Sequence, residues 1–260
     1  MKPALLFLLA CLLTACAMQR EGMPGHFVAR QVQIDGAMHR YQVFVPSPAA
    51  YRGKPALVLF LHGSGERGSD NTSQLDAGLG VYLKQHTRDF PALVVLPQVP
   101  GEEEWTDTNA RVALAAQQAA LAEFNADPRR VYATGMSMGG YGTWEVAMLA
   151  PERFAALVPV CGAVHPPRPE RPTLRVTAVD GATDPYAAIA RRLRGMPVWM
   201  FHGALDDVVA THDDHQLVAA FNAVGTPARY TEYPQGNHNA WDATYADPAM
   251  WAWLFAQRRD

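Results

Sequence analysis

Along the chain the apolar positions change their period, and the changes mark the elements. Phe27 to Ile34 and Met38 to Val45 alternate apolar with polar residues and are split by Asp35-Gly36, the pattern of a β-hairpin. Ala56 to Leu61 and Ala92 to Leu96 are unbroken apolar runs, as expected of strands buried on both faces of a parallel sheet. Arg111 to Phe124, rich in Ala, Leu and Gln, predicts a helix that Asp127-Pro128 ends. Val131 to Thr134 predicts a short strand, and from Gly139 to about Leu149 the pattern turns helical until Pro151 stops it. Phe154 to Val160, Val198 to Phe201 and Ala228 to Tyr233 are further strands. Helical segments separate them at Asp184 to Leu193 and Asp213 to Val224, and Pro248 to Gln257 closes the chain. Strands alternating with helices after an opening hairpin predict an α/β domain with a mostly parallel central sheet.

One segment breaks this rhythm. Residues 163–183 carry Pro166, Pro167, Pro169 and Pro172 among scattered charges. The segment follows a strand, where such sheets carry their binding loops. It reads either as an excursion over the site or as a solvated surface insertion.

The first residues read differently from the rest. MKPALLFLLACLLTAC has one lysine and then an apolar run from Ala4 to Leu13, too short to span a bilayer and suited to a signal peptide. It ends in Leu13-Thr14-Ala15-Cys16, which resembles the bacterial lipobox, with Cys16 the lipidated first residue of the mature protein. The expected organisation is a signal at 1–16, a polar tether at 17–26 and one domain at 27–260. Ala17, not Asp, follows the cysteine, so the expectation is an exported lipoprotein on the outer membrane, facing the periplasm. If Cys16 is incidental to an ordinary cleaved signal, the protein is periplasmic or secreted.

Composition narrows the partners. With 260 residues, 49% hydrophobic and 18% charged, the chain can bury a large core. A net charge of −3 without a basic cluster gives no footing for nucleic acid. Of three cysteines, Cys11 leaves with the signal and Cys16 carries lipid. Cys161 is then alone, without a disulfide partner, and is expected to pack as a small hydrophobe.

The chemistry concentrates in YATGMSMGGYGTW, Tyr132 to Trp144. Glycine costs roughly 1 kcal/mol relative to alanine in a helix, so Gly135, Gly139, Gly140 and Gly142 need a reason. Gly135-Met136-Ser137-Met138-Gly139 matches G-x-S-x-G, in which a strand turns sharply into a helix with the serine at the apex. That makes Ser137 the candidate nucleophile. A serine near neutral pH needs a base. His238, in the polar loop Gln235 to Asn239 after the last strand, is placed for it. Asp206, just beyond the strand Val198 to Phe201, is the candidate third member, with Asp207 facing outward. His202 is expected to shape that loop.

Oxyanion donors are expected from the backbone N–H of Met138 and from the loop His62 to Gly68, with Ser64 first and Gly65 next. Glu66 and Arg67 read as a pair holding that loop, the alternative being that Arg67 meets an anionic substrate. Thr211 to His215, with two histidines three apart, reads as a helix start capped by Thr211, with Asp214 three residues on, rather than as a metal site, and no metal or cofactor is expected. Trp105 and Trp241 are candidate walls of a substrate pocket or, alternatively, core aromatics.

Taken in order, His62 to Asn71, Pro97-Gln98, Gly135 to Trp144, Pro151 to Phe154, His202 to Asp207 and Gly236 to Asp242 resemble one family. It is the esterase or predicted-peptidase branch of the α/β-hydrolases, related to the phospholipase/carboxylesterase and dienelactone hydrolase groups. The resemblance covers roughly residues 40–254. It implies a Ser137–Asp206–His238 triad, an oxyanion hole of Ser64 and Met138, and serine esterase activity on a small-molecule or carbohydrate ester. A peptidase, a thioesterase, or a non-catalytic envelope lipoprotein on the same scaffold are the alternatives.

Overall fold

The structure, a computed structural model, describes residues 22–260. The signal, Cys16 and the first half of the tether lie outside the described residues. Eight strands form one sheet: β1 (His26–Ile34), β2 (Ala37–Val45), β3 (Ala56–Leu61), β4 (Ala92–Pro97), β5 (Val131–Met136), β6 (Ala156–Val160), β7 (Trp199–Gly203) and β8 (Arg229–Tyr233). Their spatial order is β1-β2-β4-β3-β5-β6-β7-β8. β1 pairs antiparallel with β2, and β2 with β4; from β4 to β8 all neighbours are parallel. The Asp35-Gly36 turn does what its residues suit, since both take positive φ, 51° and 83°, as a tight hairpin turn requires.

Every residue of β3, β4, β5 and β6 is buried, which explains their unbroken apolar runs. Helices cover both faces. Along β3, Leu57, Leu59 and Leu61 enter one core with Trp144 and Phe221, while Val58 and Phe60 enter the other with Tyr245 and Trp251. The first core is closed by α2 (Asp107–Glu123), α3 (Met138–Leu149), α4 (Pro185–Arg192) and α5 (His212–Ala223). The second is closed by α1 (Leu79–Gln85), α6 (Trp241–Ala246) and α7 (Pro248–Ala256).

The pattern did not reveal α1 or α6. The strand expected to end at Thr134 runs on to Met136, so Gly135 lies within it and only Ser137 separates strand from helix.

The proline-rich segment is packed down on the domain. The Val176 N–H bonds the Val164 carbonyl at 2.9 Å and closes the loop at its base. Asp213 at the start of α5 accepts the N–H groups of Val164 and His165, each at 2.8 Å. Glu145 on α3 accepts Thr177 N–H at 2.7 Å and its hydroxyl at 2.6 Å. Leu174, Val176 and Val179 are buried. These anchors fasten the segment to the domain, and they bring Arg171 to the edge of the site.

Candidate active site

Parallel strands place their carboxyl ends on one side of the sheet, and the candidate residues follow β3, β5, β7 and β8 there. Ser137 stands between β5 and α3 with φ 53° and ψ −119°. A non-glycine residue holds such a backbone only at a cost of about 1–3 kcal/mol and only when its surroundings enforce it. The enforcement is visible. Ser137 N–H bonds the Val160 carbonyl at 2.9 Å. A side chain at Gly135 would come within 2.1 Å of the Gly139 carbonyl oxygen, and one at Gly139 within 1.8 Å of the Leu61 carbonyl oxygen. The elbow is therefore pressed directly against the end of β3 and the loop that leaves it.

The Ser137 hydroxyl lies 2.8 Å from His238 Nε2, and His238 Nδ1 lies 2.7 Å from Asp206 Oδ2. Facing a carboxylate, Nδ1 carries the proton and Nε2 offers its lone pair to the hydroxyl. The loops bearing the acid and the base are stapled together by the Ala204 N–H on the Tyr233 carbonyl (3.0 Å) and the Leu205 N–H on the Gly236 carbonyl (2.8 Å). Gly203 permits this: a side chain there would come within 2.1 Å of the Asn237 carbonyl oxygen. The Asp206 side chain is inaccessible. Burial works against its charge, but His202, His238 and the N–H groups of Val209 and Val208 outweigh it and hold the carboxyl well below the usual range. Asp207 is exposed.

His202 is buried, with Nδ1 2.7 Å from Asp214 Oδ2 and Nε2 3.1 Å from Asp206 Oδ2. Burial disfavours its charge, yet Asp206 and Asp214 prevail and raise its pKa to about 10. Thr211 makes no side-chain cap on α5, against expectation, because its own backbone is already helical, φ −70° and ψ −7°, whereas a capping residue is extended; Asp214 is drawn inward to His202. The neighbouring side chains turn to different partners, Asp213 to the excursion and His215 to Glu232.

The loop after β3 is braced from beneath. His62 is fully buried; its Nε2 accepts the Val99 N–H at 3.0 Å and its Nδ1–H donates to the Gly63 carbonyl at 2.6 Å. Burial lowers its pKa to about 4, so the ring is neutral. The amide of Gln98 accepts from Asn71 N–H at 2.7 Å and donates to the Glu66 carbonyl at 3.1 Å. Ser64 opens a single turn, Ser64–Glu66, and Met138 opens α3. First N–H groups of such elements have no partner within them, so both are free to serve a ligand.

Three expectations need correction or extension here. Trp105 is only 2% exposed and is no pocket wall. It packs against Gly142, and its indole N–H holds the His62 carbonyl at 2.9 Å, so it supports the Ser64 loop from inside. Trp241, half-buried, does stand at the site, edge-on to the His238 ring at 5.5 Å. Arg67 does not pair with Glu66. It reaches Glu104 at 2.7 Å, and Glu104 also binds Arg171 at 2.9 Å. Arg171 in turn donates to Ser64 Oγ at 3.2 and 3.3 Å. Nothing in the sequence near Arg171 signals this, since its partners lie far away along the chain. Cys161 is buried beside the elbow, and burial pushes its thiol well up.

Several known proteins are similar to this chain. The sequence model of the prolyl oligopeptidase family matches residues 99–168, a stretch containing Ser137. A poly(3-hydroxybutyrate) depolymerase of Ralstonia pickettii is 25% identical over 175 residues, 58% of this chain and 36% of that protein. A putative esterase, NocK, of Nocardia uniformis subsp. tsuyamanensis is 30% identical over 168 residues, 60% of this chain and 48% of that protein. The chain thus spans half or less of the length of these curated relatives. Among solved structures, a thermostable esterase superposes over 90% of this chain and 63% of its own, with a TM-score of 0.72 and 30% identity. A ferulic acid esterase, 15% identical with a TM-score of 0.65 over 90% of this chain and 99% of its own, speaks for the fold alone. With this strand order and these likenesses, the chain is an α/β-hydrolase by fold, similar in sequence to esterases.

Proposed function

We propose that this chain is a carboxylic-ester hydrolase that works by acyl transfer, with Ser137 as nucleophile, His238 as base and then acid, and Asp206 as the group that orients the imidazole. The observation that carries the reading is the unbroken hydrogen-bonded line from Ser137 through His238 to Asp206, 2.8 and 2.7 Å, starting from a strained serine. His238 takes the hydroxyl proton as Ser137 attacks the ester carbonyl, and Asp206 stabilises the imidazolium that forms. The N–H groups of Met138 and Ser64 receive the developing oxyanion, each lowering the barrier by about 3–4 kcal/mol. His238 then protonates the leaving alcohol, and a water activated by the same ring releases the acid. Side chains and backbone amides supply every step.

The rim favours a substrate with an apolar part. Leu205 and Val208, 60% and 39% exposed, flank the Asp206 loop, and Trp241 faces His238. The test is hydrolysis of a p-nitrophenyl ester series by the purified protein and its Ser137→Ala variant, with labelling by a fluorophosphonate. The variant should lose activity by roughly a thousandfold or more, together with labelling. Equal hydrolysis by both proteins refutes the assignment of Ser137.

A peptidase reading uses the same groups and is favoured by the match of residues 99–168 to the prolyl oligopeptidase family. Peptide amides turned over faster than esters would favour it. A lipid anchor at Cys16, and with it an outer-membrane location, is likewise proposed from the sequence. A diacylglyceryl group found by mass spectrometry on Cys16 of the exported protein would establish it, and a mature chain starting elsewhere would refute it.

A further inference from the structure

The carboxylate of Asp206 is shared. Oδ2 meets His238 Nδ1 at 2.7 Å and also His202 Nε2 at 3.1 Å, while Oδ1 accepts the N–H groups of Val208 and Val209 at 2.9 Å each. His202 is held from its other side as well. Nδ1 lies 2.7 Å from Asp214 Oδ2, and Nε2 also faces the Val209 carbonyl at 2.9 Å. Every atom facing the two ring nitrogens is thus an oxygen acceptor. A neutral imidazole would turn one lone pair onto an oxygen; a doubly protonated ring satisfies both sides. The side chains of His202 and Asp206 are 0% exposed and that of Asp214 is 3% exposed, so bulk water offers no alternative partner.

We propose that His202, gripped by Asp214, is a positioning residue of the triad: it shares the Asp206 carboxylate with His238 and so sets how firmly His238 holds its proton. The proposal rests on the reading of Ser137, His238 and Asp206 as that triad. Carboxylate and imidazole alternate along one line, Asp214, His202, Asp206, His238, ending on the hydroxyl of Ser137. A charged ring on the same oxygen draws on the lone pairs that His238 uses. It also repels a second positive ring. Both effects oppose a second proton on the His238 ring. A general base works only above its own pKa, so His202 extends activity toward lower pH. Asp214 supplies the counter-charge without which the buried imidazolium would lose its proton.

Other groups surround the line without joining it. Asp213 and His215 flank Asp214 on α5, Tyr141 approaches from α3, Cys161 follows β6, and Tyr230 and Glu232 come from β8. Asp213 is committed to Val164, His165 and Tyr186, and Glu232 to His215 and Tyr230. His238 itself meets Asp206, Ser137 and the edge of Trp241.

The experiment is a histidine-ring nitrogen NMR titration of the purified protein and of His202→Gln, with the acid limb of kcat/KM measured on both. Glutamine keeps an N–H donor but removes the charge. In the unaltered protein both ring nitrogens of His202 should stay protonated between about pH 5 and pH 8. In the variant the His238 pKa should rise by about one pH unit, and the acid limb should move with it. A neutral His202 ring in the unaltered protein overturns the proposal. So does a folded variant whose His238 pKa and acid limb stay in place while only the plateau falls, because a mere brace would do that. If the variant does not fold, the ring state of His202 in the unaltered protein decides. The His238 titration is read without turnover. Failure of Ser137 to react with a fluorophosphonate therefore overturns the triad reading separately, while the coupling between the two rings is still measured.

Discussion

Acid should unfasten the loop that carries Ser64, and it should do so through His62. Its Nε2 accepts the Val99 N–H, and its Nδ1–H is given to the Gly63 carbonyl. A second proton would have to sit on Nε2, pointing at another donor, in a place without solvent exposure. Burial accordingly lowers the pKa from 6.5 to about 4. The unfolded chain binds this proton near 6.5 and the folded one only near 4, so between those values the unfolded state holds more protons. The stabilisation is complete above about pH 6.5 and lost as the pH falls to about 4. At about 1.4 kcal/mol per pH unit it amounts to roughly 3 kcal/mol. Asp206 and Asp213 have depressed pKa values, so their contributions fade only below the ordinary carboxylate range. Urea unfolding from about pH 7.5 to pH 4 should show this loss in the unaltered protein. His62→Gln should start less stable but lack that part of the slope. Parallel slopes in the two proteins would refute the reasoning.

Other perturbations have equally direct readouts. Gly139→Ala forces a methyl group to within 1.8 Å of the Leu61 carbonyl oxygen, a backbone atom that cannot step aside. It should cost more than about 3 kcal/mol in urea unfolding. Gly65→Ala, with nothing within 4 Å of the added carbon, should change stability by less than about 0.5 kcal/mol. Arg171→Met removes both donors to Ser64 Oγ but leaves Arg67 on Glu104. Ester hydrolysis should fall about tenfold in kcat/KM, the equivalent of one hydrogen bond, with little change in melting temperature. Because the pKa of His202 is raised from 6.5 to about 10, its stabilisation is present below about pH 6.5. It should be lost as the pH rises toward 10, seen as a falling melting temperature that His202→Gln does not share.

How much of this could be read from the chain follows from how local each signal is. β3 and β4 announce themselves because burial on both faces leaves no room for polar residues, and the hairpin is fixed by two residues. α1 and α6 have seven and six residues and no side-chain cap, so neither offers enough turns for a period to emerge. Ser137, Asp206 and His238 follow β5, β7 and β8, and each has a recognisable neighbourhood of its own. Trp105 reads ambiguously because its burial depends on Gly142, near the start of α3 and 37 residues further along the chain, a pairing that no local pattern encodes. The same holds for Arg171, whose partners Ser64 and Glu104 are 107 and 67 residues away.

The two buried histidines show what sequence leaves open even where it names the residue. His62 and His202 both stand at the carboxyl end of a parallel strand, both precede a glycine, and both are fully buried. Their charge states are nevertheless opposite, and the neighbours decide it. His62 faces one N–H donor and one carbonyl, a set that only a neutral ring satisfies; His202 faces carboxylates and a carbonyl, a set that suits the doubly protonated ring. Each ring props a loop of the site, His62 the loop of Ser64 and His202 the loop of Asp206. Acid therefore loosens the first and alkali the second. The two contributions are complete together only near pH 6.5, because that is the proton affinity both rings would have in the unfolded chain. A hydrolase built on these struts has a pH window set by its scaffold as well as by His238. Exchanging either histidine should move one edge of the stability window and leave the other in place.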